Sequence, residues 1–424
     1  LQPEIIPRES HSVSRADISE NALKVLYRLK KAGYAAFLVG GSVRDLLLRR
    51  QPKDFDVATD ATPEEVNKLF RNCRLIGRRF RLAHVHFGRE IIEVATFRAH
   101  HDEGEGEGVI QNGMILRDNV YGSLEDDAFR RDFTVNALYY NIADFSIVDF
   151  TGGMADLEQR KLRMIGDPGI RIQEDPVRML RAVRFAGKLD FTIDPEMEQL
   201  FASLGPRLFD VPPARLFDEV LKLFMAGHAL QTYRLLRQYK LFHFLFPQTA
   251  ELLEQDDGYV ERFIEAGLIN TDTRIHAEKP VTPFFLFGVL LWGPVRQESH
   301  LLQEQEGFSE LQATQQAARD VLQRQLQRVT IPRRFTLPMK ETWIMQARLP
   351  RRQGKRAIRV LEGPRFRAGY DFLLLRKQAG EAVEELCDWW TRFQEQNDKG
   401  RREMVQVLSS TKGRRGRRRR KKNT

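Results

Sequence analysis

The 424-residue chain has only two cysteines, Cys73 and Cys387, and no run of eighteen or more apolar residues. Two thiols are too few for a disulfide framework, which fits a reducing cytosol and a cytoplasmic protein. Without a long apolar run a membrane span is not supported, and no signal-peptide profile is apparent. Zinc-type Cys/His clusters, a nucleophile elbow and a Walker sequence are missing as well. The first residue is Leu1 and not Met, which leaves room for an upstream segment outside this numbering.

Basicity is present but unevenly placed. The formal net charge is +10, yet residues 412–422 hold nine basic residues and no acid, and so account for all but one unit of it. Such a block cannot bury apolar surface and is expected to be disordered. Its Arg417, Arg418, Arg419 and Arg420 suit sequence-indifferent attraction to a nucleic-acid backbone, where about six phosphates on a single strand give a salt slope near −4. A nucleolar-type address, an expression scar and membrane-surface attraction are the other readings of that tail. A second run, residues 71–89, carries six arginines and no acid. Arg78, Arg79 and Arg81 in it suit a triphosphate or RNA backbone, against the plainer reading of a solvated basic loop. Arg351, Arg352, Lys355 and Arg356 form a third basic stretch, equally an RNA contact or a solvated helix face. The glycine-acidic segment His100–Gly108 has no rigid ligand cage and reads as a solvated loop.

The informative stretch lies near the amino end. Residues 35–39 read as a short buried strand and 42–50 as a helix, with Gly40 and Gly41 between them. Glycines there let backbone amides approach a phosphate at a helix start. An ordinary turn, with Ser42 and Asp45 forming a capping box, is the alternative. Asp54 and Asp56 follow in Lys53-Asp-Phe-Asp-Val57. Strand alternation points both carboxylates one way and turns Phe55 and Val57 to the core. Two carboxylates about 4 Å apart repel by about 4 kcal/mol at a surface-like dielectric. A divalent metal shared with substrate phosphates is the first candidate to relieve that cost.

The spacing of Gly40-Gly41 and Asp54-x-Asp56 resembles the signature of the DNA polymerase β nucleotidyltransferase superfamily. Leu38-Val-Gly-Gly-Ser-Val-Arg-Asp45 resembles, more narrowly, the branch shared by bacterial CCA-adding enzymes and bacterial poly(A) polymerases. The resemblance implies a third carboxylate at Glu93, for which a cross-strand pair with a nearby arginine is the structural alternative. It makes Arg130–Leu138 the segment that closes the catalytic domain, with Arg131 beside the nucleotide and Asp132 among the active-site carboxylates. Glu174–Arg181 resembles the amino-acid template that pairs with the incoming base, and Pro213–Lys222 the helical motif that supports it.

Without the family, Asp175 before Pro176 reads as a helix cap. Met179, Ala182, Val183 and Ala186 then supply an apolar stripe, and Arg178, Arg181 and Arg184 a solvated basic face. The resemblance assigns Asp175 and Arg178 to base selection instead, since a carboxylate acceptor beside a guanidinium donor can read adenine. Arg181 and Arg184 become phosphate or helix-support residues, and Gly40, Gly41, Arg44 and Asp45 line the nucleotide.

The implied fold class is α+β: a polymerase β-like nucleotidyltransferase head with a mixed sheet, followed by all-helical neck, body and leg domains and the basic tail. Expected boundaries are 1–150, 151–225, 226–335, 336–410 and 411–424. The stretch Leu75–Val85 is similar to one that separates poly(A) polymerases from their CCA-adding relatives. The expected activity is therefore template-independent addition of AMP from ATP to single-stranded RNA 3′ ends with release of pyrophosphate. Two Mg²⁺ ions, with Mn²⁺ as the alternative, are expected at Asp54, Asp56 and Glu93. A CCA-adding tRNA nucleotidyltransferase is the runner-up, and a non-catalytic RNA-binding adaptor the third reading. Nothing demands more than a monomer.

Overall fold

The computed structural model describes residues 2–77, 81–99, 110–111, 114–115, 121–255 and 257–408. Arg78, Arg79, most of the 100–108 segment's surroundings and the whole of Arg417–Arg420 lie outside the described residues, as does the 100–108 segment itself. The chain divides into two compact units, Leu1–Leu204 and Gly205–Thr424. Among the described residues no helix is long and apolar enough to cross a membrane.

The first unit runs β1 (Glu4–Ile6), α1 (Glu20–Lys31), β2 (Ala36–Val39), α2 (Gly41–Leu47), β3 (Asp56–Thr59), α3 (Pro63–Leu69), β4 (Cys73–Ile76), β5 (Leu82–Phe87) and β6 (Glu90–Thr96). A two-stranded pair, β7 (Ile110–Gln111) and β8 (Met114–Ile115), precedes α4 (Leu124–Arg130), β9 (Leu138–Asn141), β10 (Ile147–Asp149) and α5 (Gly153–Glu158). Then come β11 (Lys161–Leu162), α6 (Pro168–Glu174), α7 (Val177–Leu189), β12 (Thr192–Ile193) and two short helices ending at Leu204.

Eight strands form one mixed sheet in the order β1-β10-β9-β2-β3-β6-β5-β4. Within it β3 and β6 run parallel and the other neighbours antiparallel. Alternation sends Leu38, Val57, Val94 and Val85 into the larger core, because successive strand residues face opposite sides. There α1 lays Ala22, Val25, Leu26 and Leu29 onto the sheet, an i, i+3, i+4, i+7 stripe. The side chain of Ser19 caps that helix by accepting from the Ala22 amide at 3.1 Å. The opposite face has a smaller core built on Phe37, Val39, Ala58, Phe97 and Tyr139. Because that core is small, polar groups can stand beside it.

Several local expectations need correcting. The Ser42–Asp45 capping box does not form: the Ser42 hydroxyl donates to the Val39 carbonyl at 3.0 Å, and Gly40 caps α2 with φ +74°. Much of the basic run 71–89 is not loop but the strands β4 and β5, paired with each other. In it, Arg81 forms an ion pair with Glu64.

The second unit is helical, from α10 (Pro213–Phe224) through to α20 (Glu384–Glu395). Proline opens α10, where its missing N–H costs nothing. Aromatic rings fill this unit's interior, with Phe263 5.1 Å from Phe372 and Trp292 5.3 Å from the same ring.

Candidate active site

One row of residues crosses four strands of the sheet. Tyr139 on β9 pairs with Val39, Val39 with Asp56, Asp56 with Glu93, and Glu93 with His84. Cross-strand partners share a face, so Asp56 and Glu93 stand side by side next to the Gly40 turn. Asp54 lies two residues before Asp56, just ahead of the strand proper, and is exposed. Phe55 and Val57 are buried between and beyond them, at 6% and 0% exposure. The two aspartates therefore emerge together, as period-two alternation requires.

The electrostatics of the row are unfavourable without a cation. Burial, then the Glu93 charge, raise the Asp56 carboxyl from its ordinary value to about 6; Asp54 adds to the shift and Arg131 opposes it. The Glu93 carboxylate has a partner of its own, His84 Nε2 at 3.4 Å, so its cross-strand neighbour is a histidine and not an arginine. Among the described residues no three metal-ligating side chains are gathered into a ready cage. That suits a hard divalent ion held by one or two carboxylates and completed by substrate oxygens. The acids on β3 and its approach fit such an ion, because a dication would remove the repulsion that raises Asp56.

The glycine turn is built for close approach. A Cβ on Gly40 would lie 3.4 Å from an Arg131 terminal nitrogen, and one on Gly41 3.5 Å from Arg44. Arg131 is fixed by Asp127, at 3.0 Å, and by the Tyr139 hydroxyl, to which its Nε donates at 2.9 Å. Arg44 is almost wholly buried, at 2% exposure. It donates twice to Asp45 Oδ1, at 2.6 and 2.9 Å, and once to Asn136 Oδ1 at 2.5 Å. Lys188 reaches the other Asp45 oxygen at 3.6 Å. Arg44 and Asp45, expected at the nucleotide, thus form the turn's internal brace.

The segment after α4 carries α7 against this turn. Arg181 meets Asp132 at 2.6 Å, and Phe185 packs edge-on to Phe133 at 5.6 Å. Asp132 is not among the charges that shift Asp56, and its carboxylate is engaged by α7. Asp175 ends α6, and its carboxylate accepts from the Val177 amide at 3.2 Å, so it does cap the start of α7. Arg178 donates to the Arg171 carbonyl and, at 2.9 Å, to Glu174. Arg184 stacks over Phe185 at 4.6 Å. Met179, Ala182, Val183 and Ala186 are all buried, as the helical stripe predicts.

Sequence reasoning missed several residues. Arg171 donates to the carbonyls of Arg130 and Arg131 at 2.8 and 2.9 Å and pins the loop from α6. Asn136, Asp127, Tyr139 and His84 are likewise part of the site's framework. Lys188 had a signal: it continues the three-to-four-residue spacing of Arg178, Arg181 and Arg184. In the second unit, Arg352 is engaged by both oxygens of Glu385 at 2.8 Å and lies 5.2 Å from the Trp389 ring. Arg351, Lys355 and Arg356 are exposed.

Three family models match the chain: "Poly A polymerase head domain" over residues 36–163, "Probable RNA and SrmB-binding site of polymerase A" over 190–253, and "Polymerase A arginine-rich C-terminus" over 306–424. The chain is 54% identical over 400 residues to Poly(A) polymerase I of Escherichia coli O6:H1, covering 93% of this chain and 86% of that one. It is 38% identical to the CCA-adding enzyme of Bacillus subtilis (strain 168), but over only 52% of this chain and 54% of the relative. In three dimensions it is similar to the Bacillus stearothermophilus CCA-adding enzyme solved with CTP. The TM-score there is 0.58 and the identity 25%, over 88% of this chain and 80% of that one.

Proposed function

The chain belongs to the poly(A) polymerase family, and from that premise we propose that its acidic row and the cationic helix α7 carry AMP from ATP to RNA 3′ ends with release of pyrophosphate. It is a polynucleotide adenylyltransferase of the nucleotidyltransferase type, with RNA and nucleotide as substrates and divalent metal in its chemistry. The carrying observation is the Asp56–Glu93 register pair, with Asp54 beside it and the Asp56 carboxyl held near 6 by burial and by Glu93.

In the proposed mechanism Asp54 and Asp56, with Glu93 at the edge, hold two Mg²⁺ ions, Mn²⁺ being the alternative. When bound, the ions lower the pKa of the RNA 3′-hydroxyl and neutralise the triphosphate during in-line attack. The Gly40-Gly41 amides and Arg131 would meet phosphate oxygens, since a glycine turn at a helix start offers N–H donors without a side chain in the way. Arg44 and Asp45 act by holding that turn. Asp132 acts by aiming Arg181, whose Nε is buried with no hydrogen-bond partner among the described residues. Arg184 supports the same helix face.

Asp175 and Arg178 would select adenine. Both described Arg178 contacts use one terminal nitrogen, leaving other guanidinium donors for a base edge. Positioning and charge neutralisation supply most of the acceleration, because the protein forms no covalent bond. Around this head we place a neck at 151–225, a body at 226–335 and a C-terminal RNA-binding domain at 336–410, with monomeric action in the cytoplasm.

The test is to incubate the protein with a generic RNA, Mg²⁺ and each nucleoside triphosphate separately, and to read product length and nucleotide identity on a gel. ATP-only extension supports the reading. CTP incorporation on tRNA lacking its terminus, at a rate comparable with ATP, would replace it with CCA addition. RNA binding with no pyrophosphate release would leave an adaptor, against which the paired aspartates speak.

A further inference from the structure

The second unit has a cavity of about 510 Å³ between the end of α17 (Arg333–Arg348), α18 (Lys355–Leu361) and the Gly363–Arg365 turn. Its floor is apolar, from Leu311, Ile344, Met345 and Val360, and its walls carry Arg348, Arg351, Arg356, Arg359 and Arg365. Two of the five guanidiniums have acids to answer them. Arg365 donates to Glu341 at 2.8 Å, and Arg351 attracts Glu310, whose carboxyl burial nonetheless holds above its ordinary value. Arg348, Arg356 and Arg359 have no carboxylate within ion-pairing distance among the described residues. Arg356 and Arg359 are three apart on α18, so they share one helix face. Arg352, four residues from Arg356, is tied to Glu385 and Trp389 and does not line the cavity.

Three unanswered guanidiniums around an apolar floor constitute a recognition surface of definite chemistry. Their mutual repulsion falls when an anion with several charges enters, and the floor gains when a flat apolar face covers it. Single-stranded RNA offers both in every nucleotide: a phosphate for each arginine and a base to lie on hydrocarbon or on a guanidinium plane. A double helix presents its bases only at their edges and would leave the floor uncovered. We propose that this cavity is a second RNA site, which holds an unpaired segment of the substrate at a distance along the strand from the 3′ end being extended. The site rests on the adenylyltransferase reading of the head but uses none of its residues.

The experiment uses the full chain carrying Arg348→Gln, Arg356→Gln and Arg359→Gln together, with Arg352→Gln as a second variant and thermal melts to verify folding. Binding of an unstructured 5′-labelled RNA of about thirty nucleotides is followed by fluorescence anisotropy across a salt series. The triple variant is expected to bind at least tenfold more weakly, and its salt slope to fall by about two, because each lost single-strand phosphate contact removes about 0.7. 4-Thiouridine placed upstream of the 3′ end should crosslink to the 341–365 peptide in the unmodified protein. KM for ATP, measured with saturating RNA, should not move. Unchanged affinity and salt slope overturn the site, as does a crosslink map that omits 341–365. Equal weakening of a fully paired RNA, or loss of an acidic protein's binding with RNA affinity intact, also overturns it. ATP-dependent extension by the unmodified protein is read in the same preparations. Failure of that extension rejects the adenylyltransferase reading, whereas retained extension with an inert triple variant rejects the second site alone.

Discussion

Asp132 and Arg181 meet at 2.6 Å, tying the loop that leaves α4 to the second turn of α7. Arg181 is about two-fifths exposed, and a pair that water can reach contributes little to stability, about 1 kcal/mol or less. Arg181→Ala is therefore expected to melt close to the unmodified protein while raising KM for ATP several-fold. Arg181→Lys should recover part of the loss, since it restores the charge without the planar fork. Steady-state kinetics beside a thermal melt checks the split, and a large fall in melting temperature with unchanged KM would assign the pair to the scaffold.

Asp54→Ala and Asp56→Ala are each expected to reduce adenylate transfer below detection with the fold intact. The cause is local: each removes one of two carboxylates emerging on the same side of β3 and its approach. Circular dichroism with a primer-extension gel measures both properties, and near-normal transfer by both variants rejects the acidic pair.

The Asp56 carboxyl, raised from 3.8 to about 6 by burial and then by Glu93, dictates a direction with pH. A folded-state pKa above the unfolded value means that the native state holds its proton more tightly. Without metal, this group's contribution therefore favours the fold below about pH 4 and is lost as pH rises through 4 to 6. One pKa unit corresponds to about 1.4 kcal/mol, so the effect is on the order of 2–3 kcal/mol, reduced where solvent reaches the group. A divalent ion competes with that same proton, so its affinity should climb with pH and level off above about 6. Melts at pH 4.5 and 8 for the metal-free protein and its Asp56→Asn variant, with Mn²⁺ titrations followed by electron paramagnetic resonance, test both slopes. The variant should flatten each of them.

Arg44→Ala should cost about 3 kcal/mol or more, because it strands a buried carboxylate. Lys188 at 3.6 Å softens the loss without replacing three charge-assisted hydrogen bonds. Urea denaturation gives the figure. A shift under about 1 kcal/mol would return Arg44 from the brace to the nucleotide.

The residues legible in the sequence were those whose chemistry is local. Asp54 and Asp56 could be placed because alternation is a property of the strand itself, and α7 because its apolar stripe repeats at helical spacing. Arg44 was placed correctly in sequence but not in role: its partner Asn136 lies far along the chain, and only the fold brings it within 2.5 Å. The same holds for His84 against Glu93 and for Arg171 against the carbonyls of Arg130 and Arg131. Ser42 misled because a capping box and a hydroxyl turned back to Val39 share one sequence pattern. The basic run at 71–89 misled because arginine density speaks of charge and not of backbone shape; β4 and β5 occupy much of it.

The parallel pairing of β3 with β6 makes the chemistry all-or-none in chain length. Glu93 stands beside Asp56 only at one alignment, with Ile92 and Val94 on either side of it. Adding or deleting a single residue in the Gly88–Arg89 turn would present hydrocarbon where the acid stands and turn the carboxylate to the opposite face. Drift in that turn can thus proceed only in steps of two, a counting rule imposed by pleat geometry on any lineage that keeps the reaction.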